Sequence, residues 1–327
     1  MPRSRAIPVQ LAISAAALAA VVWWAARQPL PDLPAAGTAL PALGAGLALY
    51  ALATLLRGER WRVLLRDGGA RCSRGDAYAL TTIGYMGNNA LPARAGDLMK
   101  AFLTARRTEV PVAGTVGTLV AERILDAVAL GLVFLVLVTT LDLPLGVPGW
   151  ALALVGGALV VAAAVAWLLG RRTAAGRRAR ELVLALVVPS RRLWSRRGAA
   201  LLLMSMALWL VEGGVYAVVG GVAGIEMTLL DGLYVMALAN IAALVPAAPG
   251  YVGTFDAAVL LGIGLVTTAG HPAALAYVVL VRCLLFVPIT LVGLVALLAR
   301  YGGRREAGAL LRDAQPQPQP QPASASA

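Results

Sequence analysis

Residues 77–100 read AYALTTIGYMGNNALPARAGDLMK, an apolar run that halts at an asparagine pair, a proline and a glycine before charge returns. Asn88, Asn89, Pro92 and Gly96 are turn-forming residues, so the pattern predicts a helix that breaks. The flanks decide what kind of break it is. Residues 57–76 carry arginines at 57, 60, 62, 66, 71 and 74, and residues 93–113 carry Arg94, Lys100, Arg106 and Arg107. Basic loops stay on the cytoplasmic side of a membrane. A stretch basic at both edges therefore enters and leaves by one face, and a re-entrant element is simpler than two very short half-crossings.

The rest of the chain supplies the membrane. Sixty per cent of the 327 residues are apolar and 13 % are charged, against about half and a quarter in soluble domains. Apolar runs long enough to span, about 20 residues, occur at 9–27, 37–56, 116–141, 150–169, 199–223 and 273–299. Residues 171–198 hold nine arginines, while 28–36, 142–149 and 224–228 hold no Lys or Arg and read as outer loops. Trp23-Trp24 suits an interfacial anchor, so the basic start with Arg3 and Arg5 reads as a retained first helix. A second interrupted stretch, 229–268, dips in from the outside and turns at Val245-Pro246-Ala247-Ala248-Pro249-Gly250.

The expected fold is an all-α polytopic membrane protein of six full transmembrane helices plus two broken re-entrant hairpins. Non-helical backbone at membrane depth needs protein or a watery cavity around it, so the two turns are expected to face each other inside. Each half runs helix, helix, broken hairpin, helix, one starting in the cytoplasm and the other outside, the order of an inverted-topology repeat. The halves fall at about 9–141 and 150–300, within a membrane domain of residues 1–305. Pro92-Ala93-Arg94-Ala95-Gly96 and Pro246-Ala247-Ala248-Pro249-Gly250 share P-A-x-x-G, and Arg-x-Leu follows each, at Arg123 and Arg282. Residues 306–327, ending in Pro/Gln and Ala/Ser alternation, are expected to be a disordered cytoplasmic tail. Both termini are placed in the cytoplasm and the protein in the cytoplasmic (inner) membrane.

Residues 94–107 put Leu98, Met99, Phe102 and Leu103 on one helical face and Asp97, Lys100, Thr104 and Arg107 on the other, as a helix lying in the interface would. Ionisable residues within apolar segments are expensive and face a partner or a cavity. They are Glu122, Arg123 and Asp126, then Glu212, Asp256 and Arg282. At about 1.5 Å per residue, Arg123 and Arg282 lie roughly 10 Å in from opposite ends of the membrane. One reading has both arginines bind a phosphate. The other has Arg123 neutralise Asp126 at i+3, and Arg282 neutralise Asp256 or Glu212. Asn88, Asn89, Pro92 and Gly96 serve either as plain turn residues or as a pathway wall. Gly250 and Gly253 serve either close ligand approach or tight packing.

The net charge of +12 is spread in short blocks between apolar runs, which argues against nucleic acid. Cys72 and Cys283 lie far apart and form no metal or disulfide framework, and His271 is the single histidine. There is no HExxH, GxSxG or phosphate-binding glycine loop, so no enzyme activity, cofactor or metal is expected.

In combination, residues 87–101 (GNNALPARAGDLMKA), Ala121-Glu122-Arg123-Ile124-Leu125-Asp126 and residues 245–256 (VPAAPGYVGTFD) resemble the flippase-like family typified by the transmembrane region of lysylphosphatidylglycerol synthases. The family pattern N-x-x-x-P-x-R-x-G-E, then E-R, then P-x-x-x-G is met with Asp97 in place of Glu, and Arg282 falls where the family carries an Arg. The resemblance covers roughly residues 10–300. It implies movement of an anionic or polyprenyl-phosphate lipid between leaflets, with substrate bound by Asn88, Asn89, Pro92, Arg94, Gly96, Asp97, Glu122, Arg123, Asp126, Pro246, Pro249, Gly250, Gly253, Asp256 and Arg282. The partners expected are phosphate-bearing membrane lipids and an envelope-biosynthesis protein. No aminoacyl-transferase domain is expected beside these segments. The alternatives are a membrane subunit or embedded transferase of glycolipid assembly, and a solute transporter.

Overall fold

The computed structural model describes residues 36–91, 94–108, 110–140, 196–243 and 249–301. Every regular element among them is helical: α1 (Ala36–Asp67), α2 (Arg74–Ala90), α3 (Ala95–Thr108), α4 (Val112–Thr140), α5 (Arg196–Val222), α6 (Leu229–Ala242), a 3-10 turn (Pro249–Tyr251), α7 (Thr254–Val266) and α8 (His271–Arg300). The expected spans at 9–27 and 150–169, most of the 171–198 loop, the tail from 306, and both Pro92 and Pro246 lie outside the described residues.

Helices α1, α5 and α8 are long and apolar enough to cross a bilayer. With 32, 27 and 30 residues, each is longer than the ~30 Å hydrocarbon core at ~1.5 Å per residue. They turn Leu52, Leu55, Leu203, Leu210, Leu291 and Val295 outward, a surface suited to lipid rather than water. Inside, Leu208, Trp209 and Tyr216 of α5 pack with Tyr234 and Met236 of α6, Val259 and Ile263 of α7, and Tyr277 and Val281 of α8.

Three expectations change. First, the span read as 37–56 does not stop at the arginines, because α1 continues to Asp67. Its buried face runs Ala53, Arg57, Arg60, Trp61, Leu64, the helical i, i+4, i+7, i+8, i+11 spacing. The six-arginine run is therefore not all loop. Second, residues 77–90 lie in one unbroken helix. The asparagines complete the last turn of α2, which closes with the Leu91 N–H donating to the Gly87 carbonyl at 2.8 Å. The reversal comes after it, and the returning arm is α3. Third, the polar face of α3 is split. Lys100 is 3 % exposed and Thr104 is buried, whereas Arg107 is exposed. On the apolar face Leu103 is buried with Met99 and Phe102 packed beside it, and Leu98 is 56 % exposed. A carboxylate partner inside the protein, described below, draws Lys100 inward.

The two helical hairpins, α2–α3 and α6–α7, are built alike. Each opens with a hydroxyl cap: the Asp76 N–H donates to Ser73 Oγ, and the Asp231 N–H to Thr228 Oγ1, filling amides that a helix start leaves unpaired. In the first hairpin a Cβ at Gly96 would overlap the Gly84 carbonyl and the Asn88 amide nitrogen, so the backbones of α2 and α3 touch. Its two ends also lie side by side, since Asp76 of α2 pairs with Arg107 of α3 at 3.5 Å.

Helices α1 and α5 pack against each other, α2 packs on α1 and α8, and α6 packs on α5 and α4. Gly58 of α1 makes room for Tyr78 of α2, and Gly213 of α5 makes room for Leu233 of α6. The tips of the two hairpins meet. Arg94 Nη1 donates to the Ala243 carbonyl at 3.4 Å, and its guanidinium lies 6.0 Å from the Tyr251 ring centre. These are also the non-glycine residues with left-handed backbone among those described, φ 57° at Arg94 and 55° at Tyr251, a conformation that costs energy.

Candidate functional site

Between the tips lies a cavity of about 140 Å³. Arg57 of α1, Arg94 at the first tip, Arg123 and Asp126 of α4, and Glu212 of α5 supply its charged wall, and Asn89, Asn240 and an aromatic set complete it. The aromatic set is Tyr50, Tyr85, Trp209, Tyr216, Tyr251, Phe255 and Phe286.

Arg57 and Glu212 form a buried ion pair across the α1–α5 contact, and the Arg57 guanidinium sits 5.5 Å from the Tyr85 ring centre and 5.4 Å from that of Trp209. Glu212 thus pairs with Arg57 and not with Arg282. Behind the cavity wall Arg60, fully buried, donates to Asp126 Oδ1 at 2.6 Å, to Ser205 Oγ at 2.7 Å and to Glu122 Oε1 at 3.4 Å. Glu122 also accepts from Lys100 Nζ at 3.0 Å, and that ammonium lies 3.7 Å from the Trp61 ring centre. A buried charge left unpaired costs several kcal/mol, so these partners are what let α1 and α3 carry cations into the interior. Glu122 therefore sits behind the cavity and holds the framework.

Arg123 is held more loosely. Its Nη2 is 3.8 Å from Asp97 Oδ1 and its Nη1 is 3.5 Å from Asp126 Oδ2. Its side chain is 34 % exposed, and its Nε has no hydrogen-bond partner among the described residues. Asp97 is in turn locked to α2. Its N–H donates to Asn88 Oδ1, and Asn88 Nδ2 donates back to Asp97 Oδ1, both at 3.1 Å, while Arg94 Nε stands 3.4 Å from Asp97 Oδ2. Asn89 lines the cavity and donates to Thr290 Oγ1 of α8 at 2.9 Å.

At the second hairpin Arg282 is tied down. Nε donates to Asp256 Oδ1 at 2.9 Å, Nη2 is 2.7 Å from the same oxygen, and Nη1 donates to the Gly250 carbonyl at 2.9 Å. Phe286 and Phe255 flank the guanidinium at 4.8 and 5.3 Å. Asp256 also accepts from the Gly253 N–H at 2.9 Å. Gly250 and Gly253 have φ of 64° and 89°, so both are required by backbone conformation, and Pro249 opens the short turn that carries Gly250.

The sequence reading thus located Asn89, Arg94, Arg123 and Asp126 on the cavity, and Asn88, Gly96 and Asp97 beside it. It missed Arg57, Arg60 and Lys100 as interior groups, and Tyr85, Trp209, Tyr216 and Asn240 as wall. The helical period through Ala53, Arg57, Arg60 and Trp61 was the available signal for the first two.

Long apolar helices around an ion-lined interior define a helical membrane protein. The chain belongs to the family described as the lysylphosphatidylglycerol synthase TM region, whose model matches residues 9–293. It is also similar to the Glycosyltransferase AglD of Haloferax volcanii, 38 % identical over 104 residues, which is 31 % of this chain and 17 % of that protein. No solved structure matches it.

Proposed function

We propose that this protein passes the anionic headgroup of a lipid, a phospholipid or a polyprenyl-phosphate-linked lipid, across the cytoplasmic membrane through the cavity between its hairpin tips. The observation that carries the reading is the cavity wall, where three arginines oppose two carboxylates and one of them, Arg123, is loosely held and 34 % exposed. Guanidinium donors suit phosphate oxygens. Arg123, Arg57 and Arg94 receive the phosphate. Asp97, Asn88 and Gly96 position the first tip, and Arg282, Asp256, Gly250, Gly253 and Pro249 position the second.

The arrangement proposed around the cavity is six crossing helices with two re-entrant hairpins, related as an inverted repeat with halves near 9–141 and 150–300. Three features support it. Arg123 follows Asp97 by 26 residues, as Arg282 follows Asp256. Each hairpin starts with a hydroxyl-Asp cap. The packing partners exchange in pairs, with α2 on α1 and α8 answered by α6 on α5 and α4. The end of α1, the loop after it and the start of α2 carry Arg62, Arg66, Arg71 and Arg74, which fits a cytoplasmic side and, with the crossing count, cytoplasmic termini. The chain itself needs no catalytic group or cofactor for this task.

A second reading is favoured by the likeness to a glycosyltransferase of which the match covers 17 %. In it the chain is a membrane subunit or embedded transferase working with a partner in glycolipid or envelope assembly. Proteoliposomes holding only the purified chain and a labelled phosphatidylglycerol separate the two. Leaflet exchange above protein-free vesicles supports the first reading. Exchange at the protein-free rate rejects it, and glycosyl transfer on adding a membrane extract then supports the second.

A further inference from the structure

The cavity specifies more than an anion. Its wall carries Arg57, Arg94 and Arg123 against Asp126 and Glu212, a surplus of one positive charge. The charges next to the wall balance in number, Arg60, Lys100 and Arg282 against Asp97, Glu122 and Asp256, with Glu122 shared by Arg60 and Lys100 and Asp97 facing Arg94 and Arg123. Three residues of the same wall each carry a buried donor without a hydrogen-bond partner among the described residues: Nε of Arg123, Nε1 of Trp209 and Oη of Tyr216. Trp209 and Tyr216 are 5 % and 0 % exposed. A buried donor left unsatisfied costs free energy that an acceptor in the cavity restores.

Resting on the transport reading, we infer that the cavity is matched to a headgroup with one net negative charge, several acceptor oxygens and no ammonium, that is, a phosphodiester lipid, with Trp209 and Tyr216 as its neutral donors. A lysylated headgroup brings ammonium groups into a wall already positive by one and finds no spare carboxylate there. Glu212 and Asp126 are both engaged by arginines.

The test is native mass spectrometry of the purified full chain, titrated with phosphatidylglycerol, phosphatidylcholine or lysylphosphatidylglycerol of matched acyl chains. Phosphatidylglycerol is expected to bind about tenfold tighter than either of the others, the effect of about 1.4 kcal/mol for one charge. Trp209→Phe and Tyr216→Phe are each expected to weaken it about threefold to tenfold. Tyr216→Phe is expected to leave the melting temperature of the ligand-free protein unchanged, since it removes only a hydroxyl that has no partner there. Trp209→Phe also trims a core ring and is compared at matched amounts of folded protein. Arg94→Gln, at the partly exposed tip, removes the surplus charge and with it the discrimination against phosphatidylcholine. Glu212→Gln, where it folds, tightens phosphatidylglycerol binding.

Equal binding of the three lipids, or tightest binding of the lysylated one, overturns the inference. So do phenylalanine variants that bind like wild type. Soluble glycerophosphoglycerol tests the source. Failure to compete assigns the site to a lipid, and competition at the lipid's own concentration overturns that assignment in favour of a free phosphodiester. Selective binding without leaflet exchange removes the transport reading alone, whereas exchange without selectivity removes this inference alone.

Discussion

Two arginine corners, one on each hairpin, share a plan and differ in grip. At the second, Arg282 holds Asp256 and the Gly250 carbonyl at 2.7 to 2.9 Å between two phenylalanines. At the first, Arg123 spans 3.5 and 3.8 Å to two carboxylates and leaves its Nε free of partners among the described residues. Arg123 lines the cavity, and Arg282 is not among the residues of its wall. Arg282 Nη2, though 2.7 Å from Asp256, also makes no hydrogen bond among the described residues. The difference lies in the close ion pair and two hydrogen bonds that hold the Arg282 guanidinium and that Arg123 lacks. A loosely held guanidinium exchanges partners at smaller cost. The same residue type at the same spacing therefore braces one hairpin and serves the cavity at the other.

The largest expected effect lies behind the first corner. Asp126 answers both Arg123 and the fully buried Arg60. Asp126→Leu therefore leaves Arg60 with Ser205 and the more distant Glu122, which Lys100 shares, and is expected to cost about 3 kcal/mol, read as a fall in melting temperature of the detergent-solubilised protein. The double change Arg123→Leu with Asp126→Leu does not restore stability, because Arg60 is what lost its nearest carboxylate. Recovery in the double variant would make Arg123 the true partner of Asp126 and erase the contrast.

The hairpins themselves come next. Gly96→Ala forces apart α2 and α3 where their backbones touch, and is expected to cost about 3 kcal/mol as an overpacked site. Gly262 of α7 faces Val235 of α6 with 3.2 Å available to a Cβ, so Gly262→Ala is expected to cost less than about 1 kcal/mol. Equal losses would show that the hairpins are equally tight. Between these two, Arg282→Gln is expected to destabilise by about 2 kcal/mol, below the cost for a fully buried pair, and Arg123→Gln by about half that.

Much of this contrast was legible in the sequence. Gly96, Asp97, Arg123 and Asp256 marked themselves by charge or turn chemistry inside apolar runs, and the meeting of the two turns followed from the cost of unpaired backbone in lipid. Arg57, Arg60 and Lys100 were misread because a basic residue near a span's end obeys the positive-inside rule whether it faces solvent or a buried carboxylate. Only the partner tells the two apart, and Glu212 lies 155 residues from Arg57. Trp209 and Tyr216 looked like ordinary apolar filling, since nothing local in a sequence reveals that a hydroxyl or indole N–H lacks a partner.

The smallest expected effect reports the side from which the first hairpin enters. Cys72, in the loop between α1 and α2, has its thiol pushed up to about 11 by burial, with Asp76 adding to it. A raised thiol pKa keeps the reactive thiolate scarce at neutral pH. In a Cys283→Ala background, maleimide labelling is expected to rise about tenfold per pH unit from 7 to 10. Impermeant reagent should label inverted vesicles and spare intact cells. Labelling of intact cells would put the entry of the hairpin outside.

The contrast between the corners is tested most directly by the leaflet-exchange rate of labelled phosphatidylglycerol in proteoliposomes, measured for Arg123→Gln and Arg282→Gln at matched amounts of folded protein. The account predicts that Arg123→Gln falls to the rate of protein-free vesicles while Arg282→Gln, per folded molecule, stays within about threefold of wild type, a change worth less than about 1 kcal/mol. Wild-type exchange by Arg123→Gln, or loss of exchange confined to a well-folded Arg282→Gln, would contradict it.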